Sequence, residues 1–80
     1  MSLVELTQMI IKSLVSDPDS ISVKEFENDD EIIIEVIVSE EEMGSVIGKD
    51  GKIANSIRTI IQASSYLKDN KKVKINISSI

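Results

Sequence analysis

Apolar residues over the first fifteen positions recur at helical spacing. Leu3, Leu6, Ile10 and Leu14 fall on one stripe, and Val4, Ile11 and Val15 widen it. Ser2-Leu3-Val4-Glu5 has the Ser-x-x-Glu form of a capping box, in which each side chain satisfies the other residue's free amide. Asp17-Pro18-Asp19 ends the pattern, because proline cannot continue a helix and aspartate favours turns. The expectation is a helix over about residues 2–16.

The period then changes to two. Ile21 to Glu27 alternates, Asn28-Asp29-Asp30 is turn chemistry, and Glu31 to Val38 reads Glu-Ile-Ile-Ile-Glu-Val-Ile-Val. Two strands joined as a hairpin are expected. The second carries Ile32, Ile34, Val36 and Val38 on one face and Ile33, Glu35 and Ile37 on the other. A strand apolar on nearly both faces belongs at the centre of its sheet.

Ser39-Glu40-Glu41-Glu42 repeats the capping-box form, and its carboxylates suit the positive end of a helix dipole. Consecutive glutamates diverge around a helix, so the cluster reads as a cap rather than a metal site. This helix is short, with Met43, Val46 and Ile47 before Gly48 ends it. The next starts near Lys52, with Ile53, Ile57 and Ile60/Ile61 as its buried stripe and Ala54 beside them. Lys52, Asn55, Ser56, Arg58, Thr59 and Gln62 form its polar arc, and it should finish near Tyr66. Beyond a polar turn, Val73, Ile75 and Ile77 alternate with Lys72, Lys74, Asn76 and Ser78, a half-buried strand with a basic outer face. The order α-β-β-α-α-β predicts an α+β fold, a three-stranded sheet packed against three helices, as one domain over residues 1–80.

Composition narrows the chemistry. Phe26 and Tyr66 are the only aromatic residues, so isoleucine and valine must fill the core. With no cysteine and no histidine, thiolate and imidazole catalysis, disulfides and the usual zinc sites are excluded. No apolar run approaches the roughly 20 residues that span a bilayer, and no basic segment precedes the first apolar residues. A cytoplasmic protein with no cofactor and no membrane partner is expected.

The formal net charge of -5 conceals an asymmetry. Residues 1–48 hold Lys12 and Lys24 against twelve carboxylates, whereas residues 49–80 hold seven basic residues against Asp50 and Asp69. Salt screens exposed charges over about 8 Å, so a partner touching the second half feels that half. Gly48-Lys49-Asp50-Gly51 opens this basic half, between two predicted helices. Neither its spacing nor its context fits a Walker loop or a dinucleotide fingerprint. Its glycines permit positive φ and close approach of a ligand. The amides of the following helix favour an anion, and Lys49 adds a positive charge. A plain structural turn between helices is the alternative.

Val46-Ile47-Gly48-Lys49-Asp50-Gly51-Lys52-Ile53, with Ile57 one helical turn on, resembles the signature of the K-homology (KH) RNA-binding domain. The element order resembles the type II arrangement, and the whole chain is similar to the small bacterial KhpA family. That resemblance implies a non-catalytic protein binding single-stranded RNA, with the Gly-x-x-Gly loop clamping the backbone of about four nucleotides. It implies that Gly48, Lys49, Asp50 and Gly51 carry the sugar-phosphate backbone. Val46, Ile47 and Ile53, with Ile37 from the adjoining strand, would form an apolar floor for bases. Lys52 and Arg58 would steer phosphates, while Asn55 or Ser56 offers hydrogen bonds. It further implies a homodimer, or a heterodimer with a larger KH-containing RNA-binding protein, acting in post-transcriptional regulation or RNA chaperoning. The rival reading is a protein-interaction module whose KH fold mainly pairs with another.

Asp50 departs from the family's neutral or basic loop residues, and a carboxylate facing phosphate is repulsive by about 1 kcal/mol at 4 Å in water. The favoured reading makes Asp50 the N-cap of the helix that follows, leaving Lys49 outermost. Lys68, Lys71, Lys72 and Lys74 read as a solvated face, with a second RNA contact as the alternative.

Overall fold

The capping box at the start of the chain forms as expected. In the computed structural model, which describes residues 1–80, the Ser2 hydroxyl accepts from the Glu5 amide and the Glu5 carboxylate from the Ser2 amide, each at 3.1 Å. Helix α1 runs Leu3–Leu14, ending about two residues short of the expected bound near residue 16. Beyond it the amides of Ser16 and Asp17 both donate to the Glu42 carboxylate.

That contact explains why the second expected capping box is absent. Ser39 makes no side-chain cap, and Glu40–Glu42 form a single 3-10 turn. Glu42 is drawn instead to two free amides at the end of α1, where two charge-assisted hydrogen bonds outweigh one local bond. It thereby braces the start of α2, Met43–Ile47, against the first helix.

Strands β1 (Ser22–Glu27), β2 (Glu31–Val38) and β3 (Lys72–Ser79) form one sheet in the order β1-β2-β3. β2 is central, as its two apolar faces require. It pairs antiparallel with β1 and parallel with β3. The hairpin closes through the Asn28 side chain, which accepts from the amides of Asp30 and Glu31 at 2.9 and 2.8 Å. The parallel pair needs a long crossover, which α2 and helix α3 (Lys52–Lys68) supply.

The helices cover only one face of the sheet. Ile32, Ile34, Val36 and Val38 are buried there with Ile75, against Leu3, Ile11, Val15, Val46, Ile57 and Ile61. Ile33, Glu35 and Ile37, on the other face, are only half-buried. The two fully buried polar side chains are both satisfied, Thr7 donating to the Leu3 carbonyl and Ser65 to that of Lys71, each at 2.7 Å.

Two expectations for α3 change. Its inward stripe is Ala54, Ile57, Ile61 and Ser65, and Ile60 stands 48% exposed. Successive helical residues are about 100° apart, so Ile60 and Ile61 cannot both face the core. Gln62, assigned to the polar arc, is half-buried. Its amide donates to the Lys71 carbonyl at 3.0 Å and accepts from the Val73 amide at 2.8 Å, fixing the start of β3. No helix is long and apolar enough to cross a membrane.

Candidate functional site

The segment joining α2 to α3 turns on positive φ at three of its four positions. Gly48 lies at φ 75°, ψ 175°, a region open essentially to glycine alone. Asp50 at φ 57°, ψ 24° and Gly51 at φ 74°, ψ 13° are left-handed. Only Lys49, at the tip, keeps negative φ. The Gly48 amide closes α2 on the Gly44 carbonyl at 2.9 Å, and the Gly51 amide closes the turn on the Gly48 carbonyl at 3.2 Å. None of the turn and cap hydrogen bonds uses the amides of Lys49 or Asp50.

The glycines are required for different reasons. A Cβ on Gly48 would fall 2.6 Å from Ile53 Cγ1, inside contact distance, whereas one on Gly51 would meet only the Asn55 side chain at 3.9 Å. Gly48 therefore lets α3 seat Ile53 directly against the turn. Gly51 supplies backbone freedom and keeps its own surface clear.

Asp50 does not cap α3. The N-cap position is Gly51, and no side chain caps either the turn or α3. A capping aspartate needs an extended backbone so that its carboxylate can reach back to the amides of the first turn. Asp50 is left-handed instead, a conformation that aspartate tolerates better than most side chains. The carboxylate is exposed beside Lys49.

Of the residues singled out in the sequence, Lys49, Asp50, Lys52, Asn55, Ser56 and Arg58 are exposed, and Ile47, Gly48, Gly51 and Ile53 are half-buried. These share the last residue of α2, the turn and the first two turns of α3. Val46 is 0% exposed and belongs to the core, so it offers no floor to a base. Ile37 lies in register with Ser22 and Ser78 on the helix-free face of the sheet, away from the helices that carry the turn.

The polar residues are partly ordered among themselves. Arg58 donates from Nη1 to Asn55 Oδ1 at 3.2 Å, leaving the Asn55 amide nitrogen free to donate elsewhere. Ser56 donates to the Lys52 carbonyl at 2.9 Å and keeps its acceptor capacity. The protein's one ion pair joins Lys71 to Glu27, so the charges of Lys49, Lys52 and Arg58 around the turn are not neutralised by a carboxylate partner. Free amides, three cations and a half-buried isoleucine together form a surface suited to a phosphate chain with a flat apolar group beside it. Glu42, which tethers this unit to α1, was not recognisable as a brace, since its partners lie 25 and 26 residues away in sequence.

Residues 4–77 match the family model for the KhpA/KhpB KH domain. Among similar proteins, RNA-binding protein KhpA of Clostridium perfringens is 48% identical over 73 residues, covering 91% of this chain and 96% of that protein. RNA-binding protein KhpA of Thermotoga maritima is 33% identical over 73 residues, covering 91% and 95%. Two solved structures share the fold. Era in complex with MgGDPNP and nucleotides 1506–1542 of 16S ribosomal RNA superposes with TM-score 0.68 at 24% identity, over 96% of this chain and 29% of that one. An Aquifex aeolicus Era variant bound to GDP and aluminium fluoride gives TM-score 0.70 at 23% identity, over 98% and 30%. The chain thus spans less than a third of either Era chain.

Proposed function

The chain belongs to the KhpA/KhpB family of KH domains, and from that premise we propose that it binds single-stranded RNA, without catalysis, at the Gly48–Gly51 turn. The observation that carries the reading is the turn itself. Both glycines are at positive φ, Lys49 is exposed at the tip, and the neighbouring amides of Lys49 and Asp50 are not engaged in the turn. In this reading the backbone of about four nucleotides passes over the turn. Lys49, Lys52 and Arg58 attract its phosphates, and Ile47 and Ile53 underlie a base. Asn55 and Ser56 contribute hydrogen bonds at the edge. With no aromatic ring at the turn, base contacts are aliphatic, and sequence selectivity is weak. Residues 1–80 act as one KH domain, in post-transcriptional regulation or RNA chaperoning.

The test is binding to a pool of single-stranded RNA across salt concentrations, for the natural protein and Lys49→Asp. Binding at the turn requires affinity that falls with salt and collapses in the variant. Equal affinities would remove the assignment.

A specific observation also favours pairing with a second KH domain. Beyond the residues assigned to RNA, Ile60, Ala63 and Leu67 recur at intervals of three and four along α3 and are all exposed, Ile60 and Leu67 at 48% and 88%. This stripe suits a homodimer, or a heterodimer with a larger KH-containing RNA-binding protein. Either assembly would join two weak grooves into one stronger binder.

A further inference from the structure

The helix-free face of the sheet carries residues that the turn does not use. The strand register sets them in rows across β1, β2 and β3: Phe26–Ile33–Lys74, then Lys24–Glu35–Asn76, then Ser22–Ile37–Ser78, with Glu31 beside Lys72 at one end. Phe26 is the chain's sole phenylalanine, and it stands 52% exposed. An aromatic ring left in water on an open sheet, in a protein that otherwise fills its core with aliphatic side chains, is not explained by packing.

The charges on this face are also unspent. Lys68 and Lys71 are engaged elsewhere, by the Met1 carbonyl and by Glu27. Lys24, Lys72 and Lys74 form no ion pair, and all three are exposed. Two carboxylates share the face, each with a lysine as its direct cross-strand neighbour, Lys24 opposite Glu35 and Lys72 opposite Glu31. The row Phe26–Ile33–Lys74 has no carboxylate. It places a ring, an aliphatic side chain and a cation side by side, at the roughly 4.8 Å spacing of neighbouring strands.

We propose that this face is a second platform for single-stranded RNA, on which a base stacks against Phe26 and Ile33 while Lys74, with Lys72 and Lys24, holds the adjoining phosphates. Asn76, in the next row, supplies donors and acceptors to a base edge. Exposed aromatics on an open sheet are a general means of stacking unpaired bases, tolerant of sequence because every base has a flat face. A second copy of the chain is the weaker occupant. Four rows across three strands make about 350 Å² per molecule, so two faces would bury about 700 Å², below the roughly 1,200 Å² of a stable interface. The proposal rests on RNA binding at the turn, and it extends the path of a longer strand around the edge of the sheet. Two weak contacts on one strand then reinforce each other through effective concentration.

The test compares labelled single-stranded RNA of about four nucleotides, which fills the turn, with a strand of about twelve, long enough to reach both surfaces. Binding is measured by fluorescence anisotropy on the full chain. Phe26→Ala and Lys74→Ala are expected to weaken the longer strand by about fivefold or more and leave the shorter one unchanged. Phe26→Trp, which keeps a ring, should restore the longer strand's affinity and so exclude a merely structural role. Lys49→Asp should weaken both strands. Equal binding of the longer strand by the natural protein and Phe26→Ala overturns the platform while leaving the turn intact. Unchanged binding of the shorter strand by Lys49→Asp overturns the turn, and the platform that rests on it. A monomer–dimer shift in Phe26→Ala, seen by sedimentation, would assign the face to a protein partner and also overturn the proposal.

Discussion

Gly48 and Ile53 approach so closely that a single added carbon at position 48 would fall 2.6 Å from Ile53 Cγ1. The contact couples the end of α2, where Val46 is fully buried, to the first turn of α3. Gly48→Ala therefore meets two penalties, a glycine-only backbone region at about 1–3 kcal/mol and overpacking of similar size. Gly51→Ala meets only the left-handed penalty of about 1–2 kcal/mol, since its Cβ would have open space. Urea unfolding should rank Gly48→Ala well below Gly51→Ala. The reverse order would mean that α3 yields freely at Ile53.

Asp50 owes its place to backbone shape, and if RNA binds at the turn as proposed, its charge would weaken the grip. Its φ of 57° suits aspartate or asparagine, and its carboxylate lies exposed beside Lys49. Asp50→Asn keeps the conformation and removes the charge. Relief of about 1 kcal/mol at 4 Å corresponds to RNA binding about fivefold tighter at low salt, with stability nearly unchanged. Asp50→Val should destabilise the fold, because a β-branched residue resists positive φ. Unaltered affinity in Asp50→Asn would place the phosphates beyond reach of this side chain.

Periodicity made much of this legible in advance. The alternation of Ile32, Ile34, Val36 and Val38 placed β2 at the centre, and Ser2 with Glu5 marked the start of α1. The Gly-x-x-Gly motif marked the turn, since two glycines around a lysine between helical patterns have few other uses. What stayed hidden depended on distant partners or on dihedral angles. Glu42 had a local role available as a cap, and only the folded chain brings the Ser16 and Asp17 amides to it. The same composition would have permitted Asp50 to cap α3, and only its left-handed backbone excludes that. Ile37 and Val46 suited a binding floor as apolar residues near the motif, but register and burial direct them elsewhere.

The exposed stripe on α3 makes its own prediction. Ile60 at 48% and Leu67 at 88% exposure contribute little to the monomer's core, so Ile60→Glu should leave the circular dichroism spectrum and unfolding cooperativity intact. If the stripe joins two copies, sedimentation velocity over a concentration series will show a dimer for the natural protein and a monomer for Ile60→Glu. A buried, unpaired carboxylate is costly to an interface. A dimer that survives the substitution would place the contact on another surface.

Lys71 gives the fold an alkaline signature. Its ammonium donates to Glu27 at 2.6 Å and to the Asn28 carbonyl at 3.1 Å, tying the β1–β2 hairpin to the turn before β3. The hydrogen bond to Glu27 raises its pKa above the ordinary value of 10.5. The folded state thus holds this proton more tightly than the unfolded chain does. The stabilisation is complete below pH 10.5 and is lost as pH rises through the raised value. Lys71→Met removes the contact at every pH. The stability gap between natural protein and variant, measured by urea unfolding, should therefore hold steady around about pH 8 and close above the ordinary lysine range. Because the pair is exposed, high salt should narrow the gap at neutral pH as well. A gap independent of both pH and salt would mean that the Lys71 side chain supports the turn through its aliphatic stem rather than its charge.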